Sequence, residues 1–177
     1  MKDIDELKEI VQTVLSNEDT VDVCLVYIFG SRAKALSGES ASPDRDLGAL
    51  SDYDFGIVTG FKKSEENKIP YARLFKLQSK FARLLNSEVD VLQLNRAPIE
   101  LQYNVIASGI LLFKGSVEDK VEYEARVLSR YGDYLPVLRR QRDEIIQGGS
   151  DEARVQRYRE ALGKTEQLLE QARTAKG

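Results

Sequence analysis

The stretch VDVCLVYIF at 21–29 constrains the fold of this chain more than any other. It is an almost unbroken apolar run, too short for the roughly 18 residues that span a bilayer, and it ends abruptly at Gly30. A run of that length, rich in β-branched and aromatic residues, reads as a strand buried on both faces. Such a strand needs neighbouring strands at its sides and helices above and below. Further strands are predicted at 53–58 (YDFGIV), 88–94 (EVDVLQL) and 110–114 (ILLFK). Helical spacing marks 3–16, where Asp3 is a suitable N-cap, and 70–86, where Tyr71, Leu74, Phe75, Leu77, Phe81, Leu84 and Leu85 are read as one face. Pro98 opens a short helix as its first residue. From 117 to 146 the pattern is again helical, with a kink or break expected at Gly132 and Pro136. A last amphipathic helix covers 151–174, striped from Tyr158 to Ala172; that stripe suits intramolecular packing first, or contact with a partner or a second copy. The expectation is an α+β protein: a mixed sheet of about four strands flanked by helices over 1–115, and a C-terminal helical tail over 116–177.

Composition narrows the chemistry. The 177 residues contain no histidine, which excludes Ser-His-Asp and Cys-His catalysis, imidazole-based zinc sites and any histidine general base. The 26 Lys and Arg stand against 29 Asp and Glu, so net charge gives no drive towards nucleic acid or an acidic membrane. Arg126, Arg130, Arg139, Arg140 and Arg142 make the tail locally basic, and are read as a solvated helix face. Cys24 is the single cysteine, so no intramolecular disulfide forms; it is read as core packing. Tyr123, Tyr131 and Tyr134 are read the same way. Met1 leads into a charged amphipathic segment rather than a signal peptide, and a cytoplasmic location is expected.

What remains for catalysis is oxygen chemistry, and two segments supply it. Gly30-Ser31 ends a buried strand and opens a segment able to start a helix (Arg32 to Leu36), an arrangement whose exposed N–H groups suit phosphate. Ser51-Asp52-Tyr53-Asp54 runs into the second strand. Alternation puts Asp52 and Asp54 on one face and Tyr53, Phe55 and Ile57 on the other; Gly56 continues the acidic face and is expected to leave space there. Asp90, between Val89 and Val91 and two residues after Glu88, is expected to be buried and to join them if the second and third strands are neighbours. Like charges about 5 Å apart repel by roughly 3 kcal/mol at an effective dielectric near 20. The cluster therefore takes up protons or a cation, and oxygen-only ligands favour Mg²⁺ or Mn²⁺. A phosphate-holding turn beside such carboxylates points to two-metal phosphoryl or nucleotidyl transfer.

FGSRAKA at 29–35, SDYDFGIV at 51–58 and EVDVLQLNRAPIELQYNVIASGILLFKG at 88–115, in that order, resemble the nucleotidyltransferases of the DNA polymerase beta superfamily. The closest likeness is to the minimal members, often antitoxins paired with a HEPN-type toxin. The resemblance implies that Gly30 and Ser31, with Arg32, hold the nucleotide's phosphates. It also implies that Asp52 and Asp54 bind Mg²⁺, and that Asp90 completes the metal site and helps deprotonate the attacking hydroxyl. It further implies transfer of a nucleoside monophosphate, AMP from ATP, to a hydroxyl such as a tyrosine of the toxin. Alternatives are a small-molecule enzyme of the aminoglycoside type, for which the tail is small, and a module that binds nucleotide or partner without turnover. The chain departs from the family pattern in the 20 residues between Ser31 and Asp52, a longer spacer than usual carrying Asp44, Arg45 and Asp46, and in Ala35 where a glycine is common. The HEPN toxin role itself needs a histidine and is excluded.

Overall fold

The structure, a computed structural model, describes residues 2–16, 23–38, 52–60 and 70–147. The 37–51 loop beyond Gly38, with Asp44, Arg45 and Asp46, and the predicted helix 151–174 lie outside the described residues, except for the loop's first two positions. The chain divides into two compact units, Met1–Leu128 and Ser129–Gly177.

In the first unit the elements run α1 (Ile4–Ser16), β1 (Val23–Phe29), α2 (Gly30–Leu36), β2 (Tyr53–Thr59), α3 (Tyr71–Leu85) and β3 (Val89–Gln93). A 3₁₀ turn (Leu94–Arg96), α4 (Ile99–Ser108), β4 (Ile110–Lys114) and the start of α5 (Val117–Gln147) follow. Asp3 caps α1 as a reciprocal box: its Oδ1 accepts from Glu6 N at 2.8 Å, and Glu6 Oε2 accepts from Asp3 N at 3.1 Å. Pro98 stands just before the first residue of α4 rather than within it. The strands form one sheet in the order β3-β2-β1-β4. β1 pairs antiparallel with β2 and β4, whereas β3 joins β2 in parallel after the α3 crossover.

The most apolar strand takes an interior place in the sheet, and both its faces are buried. On one face Val26, Ile28, Phe55, Ile57 and Val89 pack with α1 (Leu7, Val11, Val14) and α3 (Leu77, Phe81, Leu85). Phe55 stacks on Phe81 with ring centroids 4.7 Å apart. The alternate residues Leu25 and Tyr27 point to the other face and are equally buried. There Tyr27 Oη donates to Glu124 Oε1 of α5 at 2.9 Å, and Tyr123 Oη donates to Gln102 Oε1 of α4 at 3.3 Å. Cys24 is only half-buried, beside a register shift between Val23 and Leu25, and does not belong to the core. The α3 stripe also divides: Leu77, Phe81 and Leu85 go inward, while Tyr71 and Phe75 are 79% and 69% exposed.

α5 runs through Gly132 and Pro136 without the expected break. A proline inside a helix forfeits a hydrogen bond and costs about 3 kcal/mol; Tyr131 and Leu135 beside it are buried. Arg126 pairs with Glu122 at 2.7 Å and Arg142 with Asp143 at 3.1 Å, as expected of a solvated face. No helix among the described residues is long and apolar enough to cross a membrane.

Burial pushes the Tyr27 phenol well above its ordinary range, and the Glu124 charge and hydrogen bond push the same way. The Tyr123 phenol is raised by burial first and then by Glu124. Both therefore stay neutral in the folded chain at a pH where unfolded tyrosine, near 10, has ionised. Their contribution is complete below about pH 10 and declines above it, by up to about 1.4 kcal/mol per pH unit for each. Thermal unfolding followed from pH 8 to 11 should show that decline, and Tyr27→Phe should shallow it. An unchanged slope in the variant would remove Tyr27 from the account.

Candidate active site

The site is assembled where β1 ends and β2 begins. In the antiparallel pairing Phe29 lies opposite Asp54, so the chain turns into α2 directly beside that carboxylate. Gly30 makes the turn at φ +75°, in the left-handed region where a side chain is disfavoured. A Cβ there would also collide with Asp54 Oδ2. Both the backbone angle and the space therefore require glycine. Ser31 follows, half-buried, at the start of α2.

β3 brings the next carboxylate. In the parallel register Asp54 pairs with Asp90, and Tyr53 with Val89. Side chains in register on adjacent strands share a face, so Asp54 and Asp90 stand side by side. Asp90 is exposed rather than buried between its valines, because β3 is an edge strand among the described residues. Gln78 Nε2 of α3 lies 3.5 Å from Asp90 Oδ1. Asp52, half-buried, precedes β2 by one residue. Burial raises the Asp54 carboxyl above its ordinary range, and the charges of Asp90 and Asp52 raise it further. The Asp54 carboxyl thus feels the charges of both Asp90 and Asp52. The three acids do not close into a cage: among the described residues no three acidic or Cys side chains group as the ligands of an ion.

One expectation is changed by the packing. Gly56 does not leave space: a Cβ there would lie 2.6 Å from Leu94 Cδ1 and 2.7 Å from Leu94 Cγ, and Leu94 is fully buried. The 3₁₀ turn after β3 folds Leu94 over the strand and fills the gap. Arg32 is turned inward, 6% exposed, with its guanidinium 4.0 Å from the Tyr53 ring centroid and Nη2 donating to Ser87 Oγ at 3.4 Å. It ties α2 to β2 by a cation–π contact.

The family of nucleotidyltransferases described as "Polymerase beta, Nucleotidyltransferase" matches residues 8–118, more than half of the sequence. The chain belongs to this family. Its four-stranded α+β fold is that of the MntA nucleotidyltransferase antitoxins. The MntA–HepT toxin–antitoxin complex matches with a TM-score of 0.53 at 20% identity, over 80% of this chain and 95% of that one. A toxin–antitoxin with AMP-PNP gives 0.55 at 21%, over 80% and 96%. A tri-AMPylated Shewanella oneidensis HEPN toxin in complex with MNT antitoxin gives 0.54 at 20%, over 80% and 94%. No curated protein matches the sequence.

Within this nucleotidyltransferase, sequence reasoning missed the residues that fix the β2–β3 register. Asn95 closes the end of β2 twice over: its Oδ1 accepts from Thr59 N and its Nδ2 donates to Thr59 O, both at 2.9 Å. Gln93 Nε2 donates to Thr59 Oγ1 at 2.8 Å. The only signal was two amides in QLN directly after a strand, and that pattern does not say which strand they clamp.

Proposed function

We infer that this nucleotidyltransferase moves AMP from ATP to a hydroxyl of a partner protein, with Mg²⁺ or Mn²⁺ at its acidic residues. The observation that carries the reading is the Asp54–Asp90 register beside a Gly30 turn whose missing Cβ leaves room at the carboxylate. The site fits a divalent cation by its donors, which are oxygen only, and by the upward shift of Asp54, which a bound cation would relieve. Asp52 and Asp54 would hold it, with Asp90 completing the set. A bound ion supplies neutralisation of phosphate charge at the entering and leaving oxygens. Gly30 and Ser31 present backbone N–H groups to the β- and γ-phosphates. Asp90, the most accessible acid, takes the proton of the attacking hydroxyl. The new bond forms from that oxygen to the α-phosphorus, the bond to the β-phosphate oxygen breaks, and pyrophosphate leaves with the electron pair. Arg32 positions the turn through Tyr53 rather than meeting the phosphates.

That solved relatives include a complex with AMP-PNP and a complex with an AMPylated HEPN toxin supports ATP as donor and a toxin side chain as acceptor. In this reading residues 1–115 carry the chemistry, and the region 116–177 meets the partner or a second copy. Calorimetric titration with ATP, with and without Mg²⁺, tests the donor site; α-labelled ATP with a HEPN-type protein tests transfer. Binding should require the metal, and label should appear on the partner. Failure to bind any nucleoside triphosphate with Mg²⁺ or Mn²⁺ would leave the chain a partner-binding module.

A further inference from the structure

A cavity of about 590 Å³ opens along β3, which is an edge strand among the described residues, on the far side of that strand from β2. Tyr71 and Phe75 of α3 form one wall, Val91 and Leu92 of β3 the floor, and Arg96 and Leu101 the other wall. Gln78 lines it too, and its side-chain amide is the group that reaches Asp90. Gln78 therefore stands between the cavity and the third carboxylate.

In-line displacement fixes what can enter from this side. The attacking oxygen must approach the α-phosphorus opposite the leaving pyrophosphate. Sheet order puts the Gly30–Ser31 turn at the end of β1, Asp54 on β2, Asp90 on β3 and the cavity beyond β3. Phosphate turn and cavity thus lie on opposite flanks of the carboxylates, and the cavity is on the acceptor's flank.

Its lining selects the acceptor's chemistry. A polycationic sugar would meet apolar side chains and the Arg96 guanidinium. A nucleic-acid strand would need several cations along its phosphates, and among the described residues the lining holds one. A polypeptide suits it. The edge of β3, unpaired among the described residues, offers main-chain donors and acceptors to an extended segment, the aromatic walls take an apolar side chain, and Arg96 takes a carboxylate. Resting on the nucleotidyltransferase reading above, we propose that this cavity seats an extended acceptor segment of a partner protein, gripping an apolar residue adjacent to the modified hydroxyl and an acidic residue near it.

The probes are two fluorescein-labelled peptides, Glu-Leu-Tyr-Leu-Glu and Glu-Ser-Tyr-Ser-Glu, read by anisotropy on the full chain with MgATP binding measured in parallel. The Leu-flanked peptide should bind at least about tenfold more tightly. Phe75→Glu, at an exposed position that should leave folding intact, should erase that preference while leaving the Kd for MgATP within about twofold. Arg96→Glu should weaken both peptides. Equal binding of the two peptides, a Phe75→Glu variant that keeps the preference, or preferential binding of a single-stranded RNA or kanamycin competitor would overturn the proposal. Loss of MgATP binding in the wild type would instead count against the reading on which it rests, so the two failures are distinguishable.

Discussion

Asp54→Asn will abolish nucleotidyl transfer and, at the same time, make the metal-free protein harder to unfold. The first effect follows from the place of Asp54 between the Gly30 turn and Asp90. In the proposed reaction Asp54 would hold the cation; losing such a carboxylate removes several kcal/mol of transition-state stabilisation, and each 1.36 kcal/mol is tenfold, so a fall of about a thousandfold or more is expected. The second effect follows from the upward shift of the same carboxyl. A raised folded-state value means that the folded chain binds the proton more tightly than the unfolded chain. That contribution to stability is present in acid and lost as the pH rises through the folded value. At neutral pH the charge is therefore a burden on the fold, and the amide relieves it. Differential scanning fluorimetry should give a higher midpoint for the variant without metal, while Mg²⁺ should raise the midpoint of the wild type only. A lower midpoint for metal-free Asp54→Asn, or full activity in it, would contradict the assignment of this residue.

The second large effect is steric. Gly56→Ala places a methyl against Leu94 at distances that the buried leucine has no room to accommodate. Overpacking of this kind costs about 1–3 kcal/mol, and Gly56→Val should exceed that or fail to fold. Leu94→Ala alone leaves a cavity and costs about 2–5 kcal/mol. Combined with Gly56→Ala it should cost less than the sum, because each change accommodates the other, with a coupling of about 1 kcal/mol or more in urea unfolding. Strict additivity would mean that the two groups do not share the space. Because Gly56 follows Asp54 by two residues on the same strand, Gly56→Ala should also lower activity by shifting the carboxylate relative to Asp90.

The parts of the molecule that follow from local periodicity were legible in the sequence. The run at 21–29 declared an interior strand, Asp3 and Glu6 a capped helix, and the alternation around Tyr53 put Asp54 on the face opposite Phe55. The Asp54–Asp90 pairing needed only the further condition that β2 and β3 be neighbours. What was illegible depends on where a segment returns in space. Nothing in QLN says that Leu94 folds back over Gly56 or that Asn95 clamps Thr59. Nor does an arginine after Gly-Ser reveal that its guanidinium will lie over the Tyr53 ring. The seven apolar residues of α3 fit one helical stripe loosely, and only the packed structure separates the inward set at Leu77, Phe81 and Leu85 from the outward Tyr71 and Phe75. Asp90 looked buried because its neighbours in sequence are apolar; its strand lies at an edge, which sequence neighbours cannot report.

The parallel register of β2 with β3 makes correct folding and correct chemistry the same event. A slip of β3 by one residue would exchange its two faces. Asp90 would then be driven into the layer occupied by Val89, and a valine would stand beside Asp54. That state is penalised by a buried charge and an exposed valine before any substrate is present. The register that pairs Asp54 with Asp90 is thus selected by hydrophobic burial together with the Asn95 and Gln93 clamps on Thr59, at residues away from the acids. Substitutions at Val89, Phe81 or Asn95 can therefore silence the site through misregistration while every acidic residue remains in the sequence.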